Sequence, residues 1–149
     1  MSKLLTKILE REEGFRSEPY LCSEGYPTVG FGFKIGPKNA SLDMYQFSIP
    51  REASKVWMDR IGNDLEREMA SDLAGIDNEA RRAVILSMAY QMGISGVMGF
   101  RNMWAAIERK DWGDAADQML ESRWARQTPE RASRHARIMR GENPNEIYP

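Results

Sequence analysis

Glu13, Cys22 and Thr28 lie within one short stretch, EEGFRSEPYLCSEGYPTVGFGF at residues 12–33, and Cys22 is the chain's single cysteine. A carboxylic acid can donate a proton, a thiol or thiolate can act as base or nucleophile, and a hydroxyl can hold a water. The elements needed to position them are readable nearby. Leu4, Leu5, Ile8 and Leu9 recur at helical spacing, and Gly14 sits where a C-terminal cap would stop the helix. Glu13 therefore falls in the last turn, where the negative end of the helix dipole disfavours its charged form and pushes its pKa upward.

Beyond Tyr20, the residues Ser23, Glu24 and Gly25 favour a turn, and Thr28 to Phe33 alternate with period two, so a small hairpin is expected. Folded back, that hairpin brings Cys22 and Thr28 opposite Glu13, with Gly25, Gly30 and Gly32 permitting a tight turn and close approach to backbone. Each residue alone has a plainer reading: a surface glutamate, a small buried cysteine, an ordinary strand threonine.

The rest of the chain reads as mostly helical. Gly36, Pro37 and Asn39 mark a loop; Ser48 and Pro50 open a long helix with Ala53, Val56, Trp57, Ile61, Leu65 and Met69 on one face, ending near Gly75. Residues 78–92 form a buried helix closed by Gly93, with Val84, Ile85, Met88, Ala89 and Met92 as its stripe. Shorter helices are expected over 97–109, 112–122 and 129–140, the last with Thr128 as N-cap and Pro129 at its first position. The tail ENPNEIYP reads as irregular surface chain, His135 as an exposed helix residue without a sequence-near partner, and Trp57, Trp104, Trp112 and Trp124 as core. No repeat or flexible linker is visible.

Composition bounds the function. A chain of 149 residues suits one domain, whether of one lobe or two, and its size alone requires no metal or disulfide to fold. One cysteine makes no internal disulfide, so a reducing cytoplasm is tolerated. The N-terminal segment breaks its apolar residues with Lys7, Glu10 and Arg11, so no export signal is read there, and nothing approaches the roughly 20 apolar residues of a membrane span. Net charge is −1, with the first 80 residues acidic and the remainder basic. Arg123, Arg126, Arg131, Arg134, Arg137 and Arg140 form a run that reads first as a solvated helix face and second as an attractor of anionic polymers. HExxH, CxxC and P-loop patterns are absent, which argues against zinc and nucleotide chemistry.

Glu13, Cys22 and Thr28 at these spacings, in EEGFRSEPYLCSEGYPTVGFG, closely resemble the catalytic segment of T-even phage-type lysozymes, the endolysins of glycoside hydrolase family 24. RRAVILSMAYQMGISGVMGFRNM at 81–103 and SRWARQTPERA at 122–132 resemble the same family in the same order, whereas residues 37–80 match loosely. The resemblance implies a predominantly helical α+β, lysozyme-like two-lobed fold: a small β-hairpin lobe at about 15–50, a long inter-lobe helix at 50–73, and a helical C-terminal lobe of 75–149 that takes in 1–13.

It implies a phage endolysin, a muramidase that hydrolyses the β-1,4 bond between N-acetylmuramic acid and N-acetylglucosamine in bacterial peptidoglycan and so lyses the host. It implies no cofactor and no metal. By this resemblance Glu13 is the acid, Thr28 helps hold the attacking water, and Arg131 pairs with the catalytic glutamate. Glu24, Gly32, Lys34, Tyr90, Met103 and Gln118 line the saccharide site. The expected partner is peptidoglycan, with no nucleic acid and no stable membrane insertion. The chain is expected to be a monomer that waits in the host cytoplasm and reaches the periplasm and cell wall through a separate holin-type protein.

Two departures bear on mechanism. Phe33 stands where the family pattern has histidine, which replaces a polar contact by apolar packing. Cys22 stands where the pattern has aspartate, although some relatives carry cysteine; an unperturbed thiol is only a few per cent ionised at neutral pH, so it supplies less charge. General base, nucleophile and water positioning remain open for it, as do two other classes for the whole chain. A nucleic-acid-binding module would shift duplex DNA in a salt-dependent way, and a non-catalytic wall binder would leave a peptidoglycan suspension turbid.

Overall fold

The computed structural model describes residues 1–149. The chain is predominantly helical α+β and forms two compact units, Leu9–Ile61 and Met1–Ile8 with Gly62–Pro149. Both divisions fall inside helices: α1 (Lys3–Glu13) and α2 (Arg51–Glu68) each contribute to both units.

In Leu9–Ile61, the end of α1 runs into an antiparallel sheet of β1 (Arg16–Leu21), β2 (Pro27–Gly30) and β3 (Phe33–Lys34), in that order. Tyr20 pairs with Thr28 and Thr28 in turn with Lys34, which places three polar side chains across neighbouring strands. The alternating run expected as one strand over 28–33 is two strands. Gly30 and Gly32 take φ of +65° and +76°, so the chain reverses around Phe31 instead of continuing; glycine at alternate positions had the period of a strand and the freedom of a turn. Val29, Phe31 and Phe33 form this unit's core with Met58. Phe33 stacks on Trp57 with ring centroids 4.3 Å apart, the apolar packing expected in place of a histidine contact.

The start of α2 corrects the expected face. Val56 is 70% and Trp57 44% exposed, whereas Ser54 and Met58 are fully buried, so the buried stripe is offset from the one predicted. The helix also ends earlier, at Glu68. Met69, at φ −97° and ψ 8°, breaks it from a short α3 (Ala70–Leu73). Near its start, Glu10 forms ion pairs with Lys55 at 3.3 Å and Arg51 at 4.0 Å, and the Arg51 guanidinium lies 5.1 Å from the Phe31 ring centroid. One arginine thus joins the end of α1 to the turn between β2 and β3.

The helical unit is built on α4 (Glu79–Met92), whose Asn78 side chain accepts from the Arg81 N–H at 3.0 Å. All residues from Ala83 to Ala89 are buried, so α4 is a central helix enclosed on every side, while Met92 is half-buried. The helix expected over 97–109 is two, α5 (Ile94–Met98) and α6 (Arg101–Glu108), separated at Gly99 and Phe100. α7 (Trp112–Leu120), α8 (Arg123–Gln127) and α9 (Pro129–Arg140) follow.

Thr128 precedes α9, but its hydroxyl donates to the Trp124 carbonyl at 3.0 Å instead of capping the helix. The tail is not irregular surface chain throughout: α10 (Pro144–Ile147) forms there, and within an otherwise mostly exposed segment Ile147 and Tyr148 are 4% and 1% exposed. Burying two large side chains contributes about 1.5–3 kcal/mol each, which outweighs the polar composition around them. His135 is likewise wholly buried, not exposed, and Arg131 is 6% exposed within a run read as a solvated face. No helix is long and apolar enough to cross a membrane.

Candidate active site

The unit Leu9–Ile61 gathers the chemically capable residues. α1 stops because Gly14 takes φ +64° and returns its N–H to the Glu10 carbonyl at 3.2 Å, which fixes Glu13 as the last helical residue. The Glu13 carboxyl then lies directly against the turn between β2 and β3. A Cβ placed on Gly32 would come within 2.5 Å of Glu13 Oε2 and 3.3 Å of its carboxyl carbon. Gly32 is needed twice, for its positive φ and for that approach.

Cys22 sits at the end of β1 in a tight turn. Its N–H donates to the Tyr26 carbonyl at 3.0 Å, and its own carbonyl accepts from Gly25 at 2.8 Å. Burial by itself raises the Cys22 thiol. Backbone N–H groups of Tyr26 and Glu24, the Thr28 hydroxyl and the charge of Lys34 act in the other direction and prevail, so its pKa lies below the ordinary thiol value.

Thr28 is 2% exposed and donates to the Tyr26 carbonyl at 2.8 Å. Its hydroxyl has one proton, so it donates either to that carbonyl or to a Cys22 thiolate, and the direction of its bond follows the charge on sulfur. At that exposure Thr28 has scant surface of its own for a solvent molecule.

Lys34 and Glu24 approach at 3.5 Å on the exposed rim, and the Lys34 ammonium lies 4.3 Å from the Tyr26 ring centroid. An exposed pair of this kind adds under about 1 kcal/mol to stability, and the Lys34 charge is the smallest of the influences that lower the nearby thiol. No group of three or more His, Cys, Asp or Glu side chains is arranged to hold a metal ion.

A family model described as phage lysozyme matches residues 10–137, a span that includes Glu13, Cys22, Thr28 and Arg131. The chain belongs to the phage lysozyme family. Probable T4-type lysozyme 1 of Dictyostelium discoideum is 29% identical over 160 residues, covering 90% of this chain and 92% of that protein. The pre-baseplate central spike protein Gp5 of Enterobacteria phage T4 is 31% identical over 157 residues, 91% of this chain and 27% of its own length. Peptidoglycan hydrolase gp36 of Pseudomonas phage phiKMV is 30% identical over 127 residues, 85% of this chain and 14% of the relative. The chain thus spans about a quarter of the spike protein, a smaller share of the hydrolase, and nearly all of the Dictyostelium protein.

As a phage lysozyme family member, the chain brings Glu13, Cys22, Glu24, Thr28, Gly32 and Lys34 into one unit. The remaining expected site residues belong to the helical unit. Tyr90 is half-buried, Gln118 donates to Asp114 Oδ1 at 3.3 Å, and Arg131 Nη2 donates to Ser87. Met103 corrects an expectation: it is fully buried, and a side chain without exposed surface cannot line a saccharide site in this conformation.

Sequence reasoning also missed Tyr20. Burial raises its hydroxyl pKa and the Glu13 and Cys22 charges raise it further, against the Arg16 guanidinium stacked 4.2 Å from its ring centroid. One phenol therefore senses both candidate catalytic groups. The available signal was its place two residues before Cys22, the same-face spacing of a strand.

Proposed function

We propose that the chain is a peptidoglycan hydrolase, a muramidase that cleaves the β-1,4 bond between N-acetylmuramic acid and N-acetylglucosamine. The observation that carries this reading is the Glu13 carboxyl seated on the Gly32 backbone, beside a hairpin that holds a hydrogen-bonded Cys22 and Thr28. Family membership and relatives named as T4-type lysozyme and peptidoglycan hydrolase support the same chemistry.

Protonated Glu13 gives its proton to the leaving glycosidic oxygen as positive charge develops on the sugar ring. Cys22 orients the attacking water, Thr28 holds the sulfur in place, and the hydrolysis proceeds with inversion. Glu24, Gly32, Lys34, Tyr90 and Gln118 contribute sugar contacts, and Arg131 keeps the supporting role that the resemblance implies. The enzyme acts as a monomeric endolysin, held in the host cytoplasm until a separate holin-type protein opens the membrane, after which it reaches the cell wall and lyses the host.

The spike relative favours a second setting for the same chemistry, in which the domain acts from an assembled particle. Finding the chain in purified virions instead of free in the lysate would select that setting.

The chemistry is tested by digesting purified peptidoglycan and quantifying new N-acetylmuramic acid reducing ends. Wild type is expected to release them, and Glu13→Gln to be slower by about 10²–10⁴-fold. Freshly formed product is expected as the α-anomer. Release of N-acetylglucosamine reducing ends instead, or Glu13→Gln at the wild-type rate, overturns the assignment.

A further inference from the structure

Four side chains at the centre of the helical unit form a continuous polar chain. Arg131 Nη2 donates to the Ser87 carbonyl at 3.1 Å and to Ser87 Oγ at 2.9 Å. The same Oγ lies 2.8 Å from His135 Nε2, and His135 Nδ1 lies 3.1 Å from the Tyr148 hydroxyl. Their exposures are 6% for Arg131, 0% for Ser87 and His135, and 1% for Tyr148.

Buried polar groups and a buried guanidinium cost several kcal/mol unless hydrogen-bonded, and exchange of such a set for apolar side chains of the same volume is often neutral or stabilising. Stability alone therefore does not account for the arrangement. Ser87 is flanked on α4 by apolar residues and has no helix-forming advantage there. Its hydroxyl offers two lone pairs and one proton. Arg131 occupies one lone pair, and the His135 ring takes one of the remaining valences.

A hydroxyl donates or accepts as required, so the ring bonds both neighbours with only one nitrogen protonated. Bonded at both nitrogens to groups from different segments, the imidazole is fixed in orientation, and with it the serine rotamer that the guanidinium meets. Trp124 packs against the ring with centroids 5.9 Å apart. Tyr148, the far end of the chain, lies beyond the residues matched by the phage lysozyme family, which end at 137.

We propose that Ser87, His135 and Tyr148 are positioning residues that fix the Arg131 guanidinium for its supporting role in glycan hydrolysis. This rests on the hydrolase reading above. It assigns the C-terminal segment a positioning part, exerted through Arg131 by the buried Tyr148.

The test uses Tyr148→Phe, which removes one hydroxyl and preserves the ring, alone and combined with Arg131→Lys, and His135→Gln as a second variant. kcat and KM on soluble glycan strands are measured beside the guanidinium ¹H–¹⁵N resonances of Arg131. Tyr148→Phe is expected to lower kcat about 3–10-fold at unchanged KM and to speed exchange of the Arg131 protons, but to change kcat less than about twofold once Arg131 is lysine. His135→Gln is expected to follow the same pattern. Equal losses in both backgrounds, or an unchanged Arg131 signal, overturn the proposal. If wild type releases no reducing ends, the hydrolase reading falls on that count, and the Arg131 resonances separately decide whether the chain fixes the guanidinium.

Discussion

In Leu9–Ile61 the reactive side chains are placed by backbone: Glu13 rests on a glycine, and Cys22 is held by a turn whose N–H groups point at sulfur. In the helical unit Arg131 meets the Ser87 carbonyl and, beyond it, a relay of side chains, Ser87, His135 and Tyr148. A site set by backbone tolerates exchange of the group it presents and is intolerant of changes to the main chain that carries it. A site set by a side-chain relay is sensitive at every link, including links remote in sequence.

The largest test of this contrast is Gly32→Ala. The added methyl group meets Glu13 Oε2 and the residue must also hold φ +76°, so a stability loss of about 1–3 kcal/mol and a fall in wall-clearing rate of about 10–100-fold are expected. Calorimetry and turbidity clearance measure the two, and a Gly32→Ala protein at wild-type rate would break the comparison. Next comes Cys22. Cys22→Ala is expected to lose about tenfold in rate while Cys22→Asp remains active, because the turn presents either group to the same place.

A smaller effect is expected from Lys34→Ala. The wild-type sulfur is expected to be alkylated with a pH midpoint below that of a free thiol, and removal of the Lys34 charge to move that midpoint upward. The linkage has a definite sign. A thiol pKa lowered by folding stabilises the fold above the unfolded thiol pKa of about 8.5, and that contribution is lost as pH falls through the lowered value. Iodoacetamide labelling across pH checks the direction. The smallest change is expected at the misread face of α2: Val56→Ser should stay within about 0.5 kcal/mol of wild type by thermal unfolding.

These outcomes follow the line between what was legible in the sequence and what was not. The end of α1 was legible because Gly14 is a local stop signal, and the hairpin that carries Cys22 and Thr28 because turn and strand residues mark it. The turn at Phe31 was hidden because glycine carries no side chain to reveal direction, and the offset of α2 because Val56 and Trp57 are apolar yet exposed. His135 looked unpartnered because Ser87 is 48 residues away and Tyr148 lay in a tail of polar composition. Long-range hydrogen bonds leave no period in a sequence.

Gly32 has a further meaning for how such a protein changes over generations. Every missense mutation there adds at least one carbon where an oxygen already sits, so selection meets no gradual route away from it. Cys22 meets no such steric bar: its turn is held through its backbone N–H and carbonyl, which any side chain short of proline would leave in place.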